Sequence, residues 1–76
     1  MRLSVGDRVR NASGRGAWVF GVVVGVCPPG ESLRLWCRRH GLPVLSRAGV
    51  CVMQRERCVV LGEDGRHHAP RRVEVV

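Results

Sequence analysis

Residues 5–27 decide the fold of this chain, and they read VGDRVRNASGRGAWVFGVVVGVC. Residues 5–10 alternate between two sides, which predicts a first strand with one face that carries Arg8 and Arg10. Residues 11–16 contain Asn, Ser and two glycines, which permit positive φ and local side-chain hydrogen bonds. This composition predicts a loop after the first strand.

The valine-rich residues 17–27 are the longest strand candidate. Gly21 and Gly25 within them predict bulges or sharp bends, which let a short sheet curl into a barrel. The whole chain has fifteen valines but only three aromatic residues. Because valine is stiff at χ1 and favours strands, this composition predicts an all-β fold.

Later segments complete the barrel. Further apolar runs predict strands at residues 50–53, 57–61 and 73–76. Asp64-Gly65 is typical of a two-residue hairpin turn, so residues 66–69 form the expected return strand, followed by a single 3₁₀ turn at residues 70–72. These are the parts of a small SH3-like barrel of about five to six strands, which forms one domain over residues 1–76.

Residues 28–49 form an insertion between the predicted strands, and two structures fit its first part. As a strand, residues 32–40 alternate between Leu or Cys and larger side chains; as a helix, they place their apolar residues at helical spacing. The capping Ser32 and the helix-ending Gly41 favour one short helix. In that case Trp36 is expected to pack against the sheet.

Arginine sets the electrostatic character of the chain. There are 13 arginines, no lysine and 6 acidic residues, which give a formal net charge of +7. A codon preference would explain why arginine replaces lysine, but not why basic residues outnumber acidic ones. The planar fork of arginine matches phosphates, carboxylates and guanine edges. The excess therefore predicts an acidic partner: nucleic acid, a nucleic-acid-bearing protein complex or an acidic protein surface.

Length and hydropathy suggest where the protein acts. Residues 1–4 lead into the first strand without the apolar run of a secretory signal, and no stretch approaches the roughly 20 apolar residues that span a bilayer. We expect a cytoplasmic protein without membrane contact, whose four cysteines stay as thiols. A chain this short buries only about 60% of its unfolded surface, so assembly into a homo-oligomer would help to stabilise it.

The predicted loops bring arginines and tryptophans together. In small barrels the loops after the first two strands bind partners, here through arginine contacts to phosphates and tryptophan stacking on bases. Trp18 is expected to be partly exposed or at a subunit contact. The candidate residues for binding nucleic acid or another partner are Arg8, Arg10, Arg15, Trp18, Arg34, Trp36, Arg38, Arg39, His67, Arg71 and Arg72. They predict a non-catalytic binding module, of the kind that serves a phage or mobile element as an accessory or inhibitor protein.

Metal and catalytic chemistry have weaker support. Cys37 and His40 have the spacing of a zinc ligand pair. The possible partners of this pair are Cys27, Cys51, Cys58, His67 and His68. The alternative is that Cys27, Cys51 and Cys58 are small buried hydrophobic residues within strands, as free cysteine usually is. No cysteine, serine or carboxylate lies in a recognisable catalytic motif. The expectation is no catalytic residue, no bound metal and no cofactor.

Several short motifs match a known pattern. They are Gly6-Asp7-Arg8-Val9-Arg10, Ser13-Gly14, Ala17-Trp18, Gly21, Val24-Gly25, Pro70 and Val73-Glu74. Over the stretches that these motifs span, about a third of the chain, the sequence resembles the plasmid-encoded type II dihydrofolate reductases. These enzymes are small SH3-like subunits that assemble as tetramers around one central pore.

This resemblance implies an alternative function: a divergent type II dihydrofolate reductase that acts as a homotetramer with NADPH, in a pore lined by arginines and His67. The family binds nicotinamide and folate through a Val-Gln-Ile-Tyr run before the closing proline. This chain has Arg66-His67-His68-Ala69 at that place, and Asn11 stands where the family has its pore lysine.

Overall fold

The computed structural model describes residues 3–43 and 52–76, which contain one sheet of five antiparallel strands. Along the chain, the strands and the helix are β1 (Arg8–Asn11), β2 (Phe20–Cys27), α1 (Leu33–Arg39), β3 (Arg57–Gly62), β4 (His67–His68) and β5 (Val73–Val75). The strand order is β4-β3-β2-β1-β5, so the last strand returns to pair with the first. This arrangement confirms the predicted small all-β, SH3-like barrel with one short helix in the insertion.

β2 is the central strand, and its two glycines have different roles. The pairing of β2 with β3 shifts register between Val23 and Gly25, so a bulge lies where the sequence predicts one. Gly25 also leaves room for the side chain of Trp36 on the helix, because a Cβ at this position would lie 2.7 Å from the ring carbon Cη2 of Trp36. Gly21 keeps a regular register, and no bulge lies there. A Cβ at Gly21 would lie 2.5 Å from Cγ1 of Val60, so its role is to make room for that side chain.

The described residues form two apolar cores because β3 is covered on both faces. The inner core, inside the barrel, contains Val9, Trp18, Val23, Cys58 and Val60. The outer core, between the sheet and α1, contains Cys27, Leu33, Trp36, Cys37 and Val59. Successive residues of a strand point to opposite faces, which is why Val59 packs on the helix side while Val60 packs in the interior.

α1 confirms the helical alternative for residues 32–40. Ser32 occupies the N-cap position, and its carbonyl accepts a hydrogen bond from the Trp36 amide at 2.9 Å, but its hydroxyl makes no capping bond. Gly41 follows the helix with φ of +67°, a conformation that favours glycine. Trp36 is only 8% exposed, so the expectation that it packs against the sheet is confirmed.

The first two strands begin later than the sequence predicts. β1 begins at Arg8 because a turn precedes it: the Asp7 amide donates to the Ser4 carbonyl at 3.0 Å, and the Asp7 carboxylate accepts from the Ser4 amide at 2.9 Å. β2 begins at Phe20 because the Val19 amide donates to the side chain of Glu63 at 3.0 Å instead of joining the ladder.

The hairpin between β3 and β4 has a three-residue loop, not the two-residue turn that Asp-Gly predicts. The Gly62 amide donates to the Arg66 carbonyl at 2.9 Å, and the Gly65 amide donates to the Gly62 carbonyl at 3.0 Å. Gly65 has φ of +79°, which suits the left-handed third position of such a loop. Gly65 therefore determines the turn, but as the third residue of the loop and not as the second residue of a two-residue turn.

Other predicted elements are shorter or different. The return strand is limited to His67–His68, and residues 70–72 form a bend without a 3₁₀ turn. Of the strand predicted at residues 50–53, residues 50 and 51 lie outside the described part; Val52 forms an isolated bridge with Ser32. The rest of the predicted insertion, residues 44–49, also lies outside the described part.

Candidate functional site

The described residues form an open groove of about 560 Å³, which we call the arginine groove. One wall is the loop between β1 and β2, with Ala12, Ser13, Arg15, Gly16 and Trp18. The other wall is Arg57 of β3 together with residues 68–72, which include Arg71 and Arg72. Four arginines therefore meet in one groove although they are far apart in the sequence.

Asn11 holds the first wall in shape. Its side-chain amide donates to the carbonyls of Arg15 at 2.6 Å and Trp18 at 3.1 Å. Its side-chain oxygen accepts from the amide and the hydroxyl of Ser13 at 3.0 and 2.6 Å. One asparagine thus satisfies four groups of the loop. This role of Asn11 has a sequence signal, because an Asn two residues before a Ser is typical of such a side-chain turn.

The second wall is held by hydrogen bonds to backbone carbonyls, which cannot be predicted from the sequence. The Ala12 amide donates to the Arg72 carbonyl at 3.2 Å and ties the two walls together. The Arg57 guanidinium donates to the Ala69 carbonyl at 3.1 Å, which anchors this arginine beside the bend. Arg57 was not among the predicted binding residues. Its place follows from the pairing of β3 with β2, in which Arg57 lies opposite Cys27.

Trp18 forms the floor of the groove, and the expectation that it is partly exposed is wrong. It is only 3% exposed and packs with Val9, Val23 and Val60 of the inner core. The loop approaches it closely, because a Cβ at Gly16 would lie 3.0 Å from Cδ1 of the indole. In so small a domain the largest aromatic ring fills the interior and is not available as a platform for bases.

His68 joins the groove, whereas the predicted His67 does not. The register places His68 opposite the buried Val60 and His67 opposite the exposed Leu61, so the two imidazoles point to opposite faces. The His68 ring stacks on Trp18, with ring centroids 5.2 Å apart and planes 20° apart. Its Nε2 lies 3.0 Å from a carboxylate oxygen of Asp64.

Asp64 is held ionised by the turn that contains it. Partial desolvation acts to raise its pKa, but the hydrogen bonds from the Arg66 amide and from His68 outweigh this and lower the pKa below the ordinary 3.8. A carboxyl group with a lowered pKa in the folded state stabilises the fold above its unfolded pKa, and this contribution is lost as the pH falls through the folded pKa.

We therefore predict that Asp64→Asn lowers the urea midpoint of unfolding near neutral pH and has a shrinking effect below about pH 4. The measurement is a series of urea titrations of both proteins from neutral to acidic pH. A difference between the two proteins that stays constant across this range would contradict the role of the Asp64 charge.

The other predicted binding arginines lie outside the groove. Arg8 and Arg10 are on the exposed face of β1, where Arg10 forms an ion pair with Glu74 of β5. Arg34, Arg38 and Arg39 are on the exposed side of α1, and Arg39 pairs with Glu31 at 2.5 Å. Trp36 is buried beneath the same helix. The structure thus joins Arg15, Trp18, Arg71 and Arg72 of the predicted set and adds Arg57 and His68.

The candidate zinc pair makes structural contacts. Cys37 is buried in the outer core, and His40 stacks on Trp36 with its Nδ1 2.9 Å from the Trp36 carbonyl oxygen. Burial raises the pKa of Cys27, Cys37 and Cys58, which favours the neutral thiol. Within residues 3–43 and 52–76, no three potential ligands among His, Cys, Asp and Glu lie close enough to hold a metal ion. Cys51 lies outside these residues.

The fold and site define a small antiparallel β-barrel with a basic groove. Comparisons with protein-family models, with curated proteins and with solved structures found no match to this chain. Among the described residues, no helix is both long and apolar enough to cross a membrane.

Proposed function

We propose that this protein is a non-catalytic module that binds nucleic acid through the phosphate contacts of its arginine groove. The observation that carries the proposal is the groove lining: it contains Arg15, Arg57, Arg71 and Arg72, and no carboxylate among the described residues. Guanidinium groups on both walls suit a ligand with several phosphates, because arginine donates two parallel hydrogen bonds to each.

The distribution of charge supports a polyanionic ligand. Elsewhere on the surface Arg10 and Arg39 are paired with glutamates. Within the described part of the chain, the four groove arginines form no ion pair with a carboxylate. An anion in the groove would supply the opposite charge that these four guanidinium groups lack there. The formal net charge of +7 adds long-range attraction to the same partner.

A salt titration tests this proposal. If all four groove arginines contact phosphates, the slope of log K against log salt is expected to be about −3 for a single strand and about −4 for a duplex. The measurement is fluorescence anisotropy with labelled DNA over a range of salt concentrations. Binding that does not change with salt contradicts the proposal. Tight binding to an acidic protein with no binding to nucleic acid would assign the groove to a protein partner.

One observation favours a second candidate, the divergent type II dihydrofolate reductase. On the outer face of the sheet, Phe20, Val22 and Leu61 are exposed, and His67 lies beside Leu61 in the neighbouring strand. Assembly through this apolar face would bring several copies of His67 together, as a symmetric pore requires. Against it, His68 stacks on Trp18 and lines the arginine groove on the face opposite to His67, so the segment 66–69 cannot present all its side chains to NADPH.

Light scattering separates the two candidates. The reductase requires a tetramer that takes up NADPH, whereas the binding module requires neither. A monomer or dimer whose mass increases with nucleic acid supports the module and eliminates the pore enzyme. A tetramer that binds NADPH would support the reductase, and folate reduction would then be the assay that decides.

A further inference from the structure

The arginine groove has the volume of a ligand-binding site. Its volume of about 560 Å³ lies within the range of about 300–1,000 Å³ that is usual for concave sites enclosing small ligands. Proteins that read a duplex usually insert a protruding helix or β-ribbon into a groove of the DNA. Here the basic surface is itself the concavity, and the duplex would have to enter it.

The charges lie on both sides of this concavity. Arg15 belongs to the loop between β1 and β2, whereas Arg71 and Arg72 belong to the bend before β5. The two walls are joined by the hydrogen bond from the Ala12 amide to the Arg72 carbonyl, so their spacing is set by the fold. A flexible single strand can bend to follow the concavity and contact arginines from both walls, whereas a duplex resists such bending.

The floor of the groove offers no stacking platform for bases. The indole of Trp18 is 3% exposed, and His68 stacks on it at a centroid distance of 5.2 Å. Single-strand-binding proteins combine a basic groove with aromatic platforms, and this site has the first of these features without the second. The contacts on which the proposal rests are therefore those between the groove arginines and the phosphates of the strand.

We propose, building on the nucleic-acid binding proposed above, that the groove binds the phosphodiester backbone of single-stranded nucleic acid and selects it over duplex without reading the bases. The flexibility of the strand is the property that is selected. Because neither base nor sugar has a partner in this mode, DNA and RNA single strands are bound alike.

The test compares three labelled probes at about 0.1 M salt by fluorescence anisotropy: oligothymidylate, oligouridylate, and a mixed-sequence DNA duplex. Each has about 12 nucleotides or base pairs, within the site sizes of about 4–16 nucleotides known for small single-strand-binding domains. We expect the two single strands to bind within about threefold of each other, and at least about tenfold more tightly than the duplex. A preference of more than about tenfold for one single strand would contradict backbone recognition.

Two other outcomes separate this inference from the proposed function. If the duplex binds as tightly as the single strands or more tightly, and its binding depends on salt, the strand selectivity is overturned. The proposed function, binding of nucleic acid, is still supported by that outcome. No binding of any of the three probes would overturn both. The variant Arg71→Ala/Arg72→Ala, measured with the same probes, must lose the single-strand preference; a preference that survives this change places the strand outside the groove and overturns the inference.

Discussion

Replacement of Arg71 and Arg72 together by alanine should weaken the binding of oligothymidylate about 25-fold at about 0.1 M salt. Each phosphate contact to a single strand contributes about 0.7 to the slope of log K against log salt, so the loss of two contacts lowers this slope by about 1.4. We take the electrostatic part of the binding free energy to vanish near about 1 M salt. Between 1 M and 0.1 M salt, a slope change of about 1.4 then corresponds to a loss of about 25-fold in affinity. The difference between variant and native protein should therefore disappear at high salt.

The helix provides a matched control for this experiment. Arg34→Ala/Arg38→Ala removes the same charge from exposed positions of α1, which does not line the groove. We expect this pair to weaken binding less than about threefold, since only the long-range field changes. Equal losses for the two pairs would assign binding to the overall charge and contradict a groove-specific site.

The two double variants should be about as stable as the native protein, so a loss of binding would not be caused by unfolding. The contact that joins Arg72 to the opposite wall uses its backbone carbonyl, which alanine retains. Both arginine side chains are exposed, and exposed substitutions usually change the free energy of unfolding by no more than about 0.5 kcal/mol. Circular dichroism of both double variants would show whether the fold is retained.

The sequence predicts the barrel because its local signals agree with the final fold. The alternation around Arg8 and Arg10, the valine strand with its bulge at Gly25, and the short helix before Gly41 are all present in the structure. In each case the deciding interaction is local or is a simple consequence of burying one face. The boundaries are less predictable, since side chains such as Glu63 remove backbone groups from the ladder through contacts distant in sequence.

The site was only partly predictable, because closure of the chain creates it. Arg71 and Arg72 meet the loop of Arg15 only because β5 returns to pair with β1. Arg57 joins them through the β2–β3 register and a bond to a backbone carbonyl. No local pattern distinguishes these arginines from Arg34 or Arg38, which remain on the helix. Charge composition predicts an anionic partner, and topology decides which arginines lie together in the groove.

Trp18 shows where a sequence argument about exposure fails. Its position in a loop among glycines and arginines suggested a binding platform. The chain has few large apolar side chains, so the barrel takes this indole into its inner core, where it is 3% exposed. Gly16 and Gly62 allow the approach, since a Cβ at either position would lie 3.0–3.1 Å from Trp18 atoms.

Trp18→Ala should therefore be the most destabilising single substitution that we predict. Truncation of a buried tryptophan to alanine costs about 3–5 kcal/mol. A domain of 76 residues has a free energy of unfolding of about 4–11 kcal/mol by the usual value per residue, so the variant loses a large part of its stability. With a shift of about 4–8 °C per kcal/mol for domains of this size, the expected fall in Tm is at least about 12 °C.

Thermal unfolding followed by circular dichroism measures this fall. Leu35→Ala is the matched control, because Leu35 is 58% exposed on α1 and its truncation should change Tm by only a few degrees. Trp18→Phe retains part of the ring and should lie between the control and Trp18→Ala. It also leaves Trp36 as the single tryptophan, so that its fluorescence reports on the outer core. If Trp18→Ala melted with the native protein, the indole would lie outside the core and would again be a candidate platform for bases.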